Sequence, residues 1–159
     1  MKTILFTVAI IATAFTQNSF AQDNTNKSQL PQLLSLYFNI KDALVAGNAT
    51  EAASKAEAFD KASSGISVKG VNETNIKGLA RHARMISGSK DLKKQREHFA
   101  ELSNEMIAVA KTAKLGDKPV YQQYCPMKKA SWLSDQKAIK NPYYGSSMLT
   151  CGEVTATFQ

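Results

Sequence analysis

The stretch Leu92–Ala113, LKKQREHFAELSNEMIAVAKTA, decides the fold class. Leu92, Phe99, Leu102, Met106, Val109 and Ala113 fall at helical spacing and share one apolar stripe. Lys94, Glu97, Glu101 and Lys111 point elsewhere. Just ahead, Ser89 is expected as the N-cap, with Asp91 in the first turn where the helix dipole favours negative charge. Behind it, Gly116 closes the helix and Pro119 forbids its return.

Three more stretches upstream read the same way. Glu73 to Ile86 carries Ile76, Leu79, Ala83 and Ile86 on one side, and Gly78 weakens it. Ala49, Ala52, Ala53, Ala56 and Phe59 give a second helix a small buried face, with Asn48 as its cap. Leu33, Tyr37, Ile40 and Leu44, widened by Leu30 and Leu34, form the first stripe, which ends at Gly47. Four amphipathic helices on short links predict an all-α fold, an antiparallel four-helix bundle.

Residues 119–159 change character. Pro119, Pro126, Pro142, Gly145 and Gly152 punctuate them, and Tyr121, Tyr124, Trp132, Tyr143 and Tyr144 gather there. Val120-Tyr121-Gln122 and Glu153 to Phe158 have the composition of two short strands that pair as a hairpin would. The expectation is an irregular tail packed on the bundle, with Trp132 as its anchor and Asn141-Pro142-Tyr143-Tyr144-Gly145 as a turn.

The N-terminus carries the parts of a secretory signal. Lys2 is the basic region, Thr3 to Phe15 an uncharged apolar run, and Ser19-Phe20-Ala21 a small-x-small cleavage site. That run is too short to span a bilayer, which takes roughly 20 residues. Residues 1–21 are therefore expected to be removed, residues 22–29 to be a disordered linker, and residues 30–159 to form one helical domain. No second apolar span follows, so no membrane insertion is expected after cleavage. The formal charge of +7 comes from scattered lysines with no aromatic interleaving, which reads as a solvated face rather than a nucleic-acid surface.

Only two cysteines are present, Cys125 and Cys151. In an extended segment Cys125 and Met127 share a face, and Met148 and Cys151 come together if the chain turns between them. Two thiolates and two thioethers would make a soft pocket that favours Cu(I) or Ag(I). A disulfide that staples the tail explains the same cysteines, at about 3 kcal/mol in the chain-entropy model, with Met127 and Met148 as packing residues. Spacing leaves both open. His82 falls between Leu79 and Ile86 on the apolar side of its helix, where a core histidine is the ordinary reading. His98 reads as wet-face, and Met85 and Met106 as core. The chain has no H-E-x-x-H, no G-x-S-x-G, no phosphate loop and no paired C-x-x-C, so neither an enzyme nor a zinc site is expected.

The tail resembles a bacterial periplasmic family catalogued as a domain of unknown function. The resemblance rests on residues 119–127 (PVYQQYCPM), Trp132-Leu133-Ser134, residues 139–145 (IKNPYYG) and residues 148–152 (MLTCG). It extends to His82, Asp91-Leu92, Gln95-Arg96, Phe99 and Leu102-Ser103 in the helical half. That family occurs free and as the C-terminal extension of CusB-type heavy-metal efflux adaptor proteins. The resemblance implies a periplasmic role beside copper and silver efflux, with such an adaptor as partner. It implies Cys125, Met127, Met148 and Cys151 as metal ligands, with His82 facing the tail, and it favours metal over the plain disulfide. One departure stands out: only Lys128 to Ser131 separate Met127 from Trp132, so the loop that would close the pocket is short.

Overall fold

The computed structural model describes residues 22–159. The expected signal segment lies outside the described residues. Four helices come first: α1 (Gln22–Val45), α2 (Ala49–Ser63), α3 (Glu73–Ser87) and α4 (Leu92–Thr112). Strands β1 (Val120–Cys125) and β2 (Ala130–Ser134) follow, then a short 3-10 turn (Gly145–Met148) and β3 (Glu153–Phe158). Consecutive helices pack on one another, and the sheet rests on α4 through β2. No helix among the described residues is long and apolar enough to cross a membrane.

The helical half follows the stripes. Leu33, Tyr37, Ile40 and Leu44 of α1 are fully buried, as are Ala52, Ala56 and Phe59 of α2. Leu79, Ala83 and Ile86 of α3 meet Phe99, Leu102, Met106 and Val109 of α4 in the same core. Asn48 and Asn72 cap α2 and α3, accepting from the Glu51 and Thr74 amides. Gly47, at φ 71°, ends α1 in the left-handed conformation that glycine adopts without steric cost.

Several expectations need correction. The class is not all-α, because residues 120–158 contain a three-stranded antiparallel sheet of order β2-β1-β3. The expected pairing of β1 with β3 is present, from Val120 opposite Phe158 to Tyr124 opposite Glu153, with an irregularity at Gln122/Gln123. The unexpected strand is β2, where Trp132, Leu133 and Ser134 are buried in succession. Consecutive burial erases the alternation by which a strand is recognised. The α4 cap is Asp91, which accepts from the Lys93 amide at 2.8 Å, while Ser89 accepts from the Asp91 amide one step earlier. An aspartate there adds a charge that suits the dipole. Met106 is buried as expected, but Met85 is exposed. α1 takes in residues 22–29, read above as a disordered linker. Nothing in the polar composition of that stretch accounts for the extension.

Polar side chains of the core tie the tail to the bundle. The buried Tyr37 hydroxyl shares a 2.7 Å hydrogen bond with Ser103 of α4 and accepts from the Leu133 amide of β2 at 3.0 Å. Arg96 of α4 donates to the Pro142 carbonyl at 2.9 Å and to the Leu44 carbonyl at 3.1 Å. Gly145 sits under that guanidinium at φ 58°, where a Cβ would come within 2.9 Å of the Val45 carbonyl oxygen. The Asn-Pro-Tyr-Tyr-Gly turn is thus a docking element.

Candidate metal centre

Cys125 is the last residue of the central strand β1 and is fully buried. The next four residues turn back, and the Lys129 amide closes that turn on the Cys125 carbonyl at 2.8 Å. Cys151 arrives from the other side, after the 3-10 turn, with its amide on the Met148 carbonyl at 3.1 Å. Asn141 fixes this approach by donating its side-chain amide to the Cys151 carbonyl at 2.8 Å. Gly152 completes it: at φ 147° it packs where a Cβ would stand 2.9 Å from Trp132 Cη2 and 3.0 Å from the Tyr124 carbonyl oxygen. Together these contacts bring Cys125 Sγ and Cys151 Sγ to 3.1 Å across 26 residues of sequence. Both are free cysteines.

The two thiols are not equivalent. Burial pushes the Cys125 thiol up, but hydrogen bonding from Cys151, the Lys128 amide, the Asn141 side chain and the Met127 amide outweighs it, so its pKa is lowered. The Cys151 pKa is raised, first by its hydrogen bond to Cys125, then by burial and by the charge on Cys125. Cys125 is therefore the first to become a thiolate, the form that binds metal. A thiolate beside a thiol suits a soft ion.

Two of the other expected donors lie on the segments that carry the cysteines. Met127 belongs to the same turn as Cys125 and is 65% exposed. Met148 is half-buried at the end of the 3-10 turn that leads to Cys151. His82 keeps different company: its ring lies 6.1 Å from that of His98 on α4, and its Nε2 is 3.0 Å from the Arg81 guanidinium. Among the described residues no three His, Cys, Asp or Glu side chains gather as a metal-holding group, so His82 does not join the thiol pair. Burial, Arg81 and His98 lower the His82 pKa against the opposing charge of Glu101.

Two residues escaped the sequence reading. Asn141 was assigned to a turn, yet it braces both cysteines. Its neighbour Pro142 hid it, because Asn-Pro signals a turn whatever else the asparagine does. His98 was read as wet-face but stands half-buried against His82; pairing across α3 and α4 leaves no mark in either helix's own periodicity.

The fold and site define a helical bundle carrying a small antiparallel sheet, with a thiol pair at the end of the sheet's central strand. The chain belongs to a family of proteins of unknown function (DUF3347), whose model matches residues 33–118. The match runs from α1 through α4 and stops before β1, so the thiol pair lies beyond the matched residues. No curated protein and no solved structure matches the chain.

Proposed function

We propose that this is an exported, periplasmic protein that binds a soft metal ion, Cu(I) or Ag(I), as an accessory to heavy-metal efflux. The observation that carries the reading is the 3.1 Å approach of Cys125 Sγ to Cys151 Sγ, with the Cys151 carbonyl held by Asn141 and Gly152 lodged against Trp132. Cys125 and Cys151 supply thiolates, and Met127 and Met148 extend the sulfur set from the segments that carry them. His82, which stands beside His98 and Arg81 on the helical side, is not part of this set. The signal-like residues 1–21 and the resemblance to efflux-adaptor extensions support export and a partner of the adaptor type. The reading includes no catalytic step, no nucleic acid and no membrane insertion of the cleaved chain.

The test is a Cu(I) competition titration of the reduced protein against a chromogenic chelator. Wild type is expected to hold one Cu(I) at least 100-fold more tightly than Cys125→Ser. Equal competition by the two proteins would refute the reading.

The complete burial of Cys125 against Cys151 also favours a second reading, a disulfide-stapled structural module that binds no metal. That reading requires no free thiols in protein taken from its natural compartment, and a large loss of stability on reduction. Two reactive thiols in such protein would count against it.

A further inference from the structure

Outside the thiol pair, the molecule offers an exposed edge on β3, an apolar groove beside residues 63–71, and the His82–His98 pair; nothing on the molecule identifies what would occupy any of them. The thiol pair carries an argument further. Its backbone is fixed from both sides: β1 is hydrogen-bonded to β2 and β3, the Cys151 carbonyl is held by Asn141, and Gly152 is lodged against Trp132. The two backbones are thus held in place, and rotation of the Cys125 and Cys151 side chains sets the distance between the sulfurs. An S–S bond is about 2.05 Å long, so the two sulfurs need to close by only about 1 Å to form one. A metal–thiolate bond is about 2.3 Å, so an ion shared by the two sulfurs holds them apart instead. One pair of atoms thus has two mutually exclusive uses.

We infer that Cys125 and Cys151 form a redox gate on the soft-metal site: the dithiol binds the ion, the disulfide excludes it, and the bound ion protects the dithiol from oxidation. This rests on the soft-metal reading above. In the oxidising step the two thiols lose two protons and two electrons and one S–S bond forms. An external disulfide, a small thiol's or a protein's, is the natural oxidant. One cysteine of the pair, as thiolate, attacks one of the oxidant's sulfurs and releases one thiol; the other cysteine then displaces the second. Reciprocity is required by linkage, because an ion that binds only the dithiol must stabilise it against oxidation by the same factor.

The experiment uses the full chain without its signal segment. Diamide is the oxidant, since its N=N bond takes up the two protons and two electrons and releases no competing thiol. Thiols are counted under denaturing conditions, Ag(I) affinity is measured by competition before and after oxidation, and oxidation is timed with and without one equivalent of Ag(I). The gate predicts two thiols falling to none in a monomeric product, an Ag(I) affinity reduced at least 100-fold, and oxidation slowed at least tenfold by Ag(I). A fully oxidised monomer that still binds Ag(I) like the reduced form would overturn the gate and leave the soft-metal reading standing. So would an intermolecular disulfide as the sole product. A reduced protein with no Ag(I) affinity would overturn the soft-metal reading itself, and the gate with it, even if the disulfide forms.

Discussion

Tyr37 joins three elements through one hydroxyl. It sits on α1, bonds Ser103 of α4 and receives the Leu133 amide of β2, while its ring stacks on Phe99 at 5.1 Å. Tyr37→Phe keeps the ring but strands a buried backbone amide, which costs about 1–3 kcal/mol. An unfolding free energy from urea denaturation lowered by that amount checks the role; an unchanged value would mean that the Leu133 amide finds another acceptor. At the site, the same logic explains Asn141 and Gly152, neither of which touches an ion in the proposed function. One holds the Cys151 carbonyl and the other leaves room beneath Trp132. The two cysteines stand out in the sequence because thiols are few and advertise their chemistry. Their bracing does not, since asparagine and glycine have commoner uses in turns.

At the scale of elements, helices were readable and one strand was not. Each helix shows a core-facing stripe because only one side of it is buried, and Leu33, Tyr37, Ile40 and Leu44 repeat at that period. β2 packs on α4 with Trp132, Leu133 and Ser134 buried in a row, a pattern fixed by its neighbours and not by its own sequence. Boundaries follow a similar division. Asp91 and Ser89 are both competent caps, and only the structure shows that Asp91 takes the Lys93 amide. Asp91→Ala is expected to cost about 1 kcal/mol and Ser89→Ala less than half as much, read as shifts in the unfolding midpoint. The reverse order would return the cap to Ser89.

Over the whole molecule, the tail is part of the fold. Arg96 bridges the end of α1 and the Pro142 carbonyl, and Tyr143 packs against both Phe99 and Trp132. Two buried tyrosines therefore stand between helices and sheet, and burial raises the pKa of each well above the ordinary value. An unfolded tyrosine ionises near roughly pH 10. Below that, neither state has lost the proton and the contribution to stability is complete. Above it the unfolded chain releases protons that the folded one keeps, so stability falls as pH rises through the folded values. The urea midpoint is expected to drop from about pH 10 upward, with tyrosinate absorbance of Tyr37 and Tyr143 appearing only on unfolding. Early ionisation of all tyrosines in folded protein would contradict it.

The proposed function stands on two sulfurs that would share one ion. Native reduced protein, treated with an aromatic disulfide reagent before and after one equivalent of Cu(I), gives the shortest route to that point. Two titratable thiols before the metal and none after is the predicted result. Two thiols in both samples would contradict it.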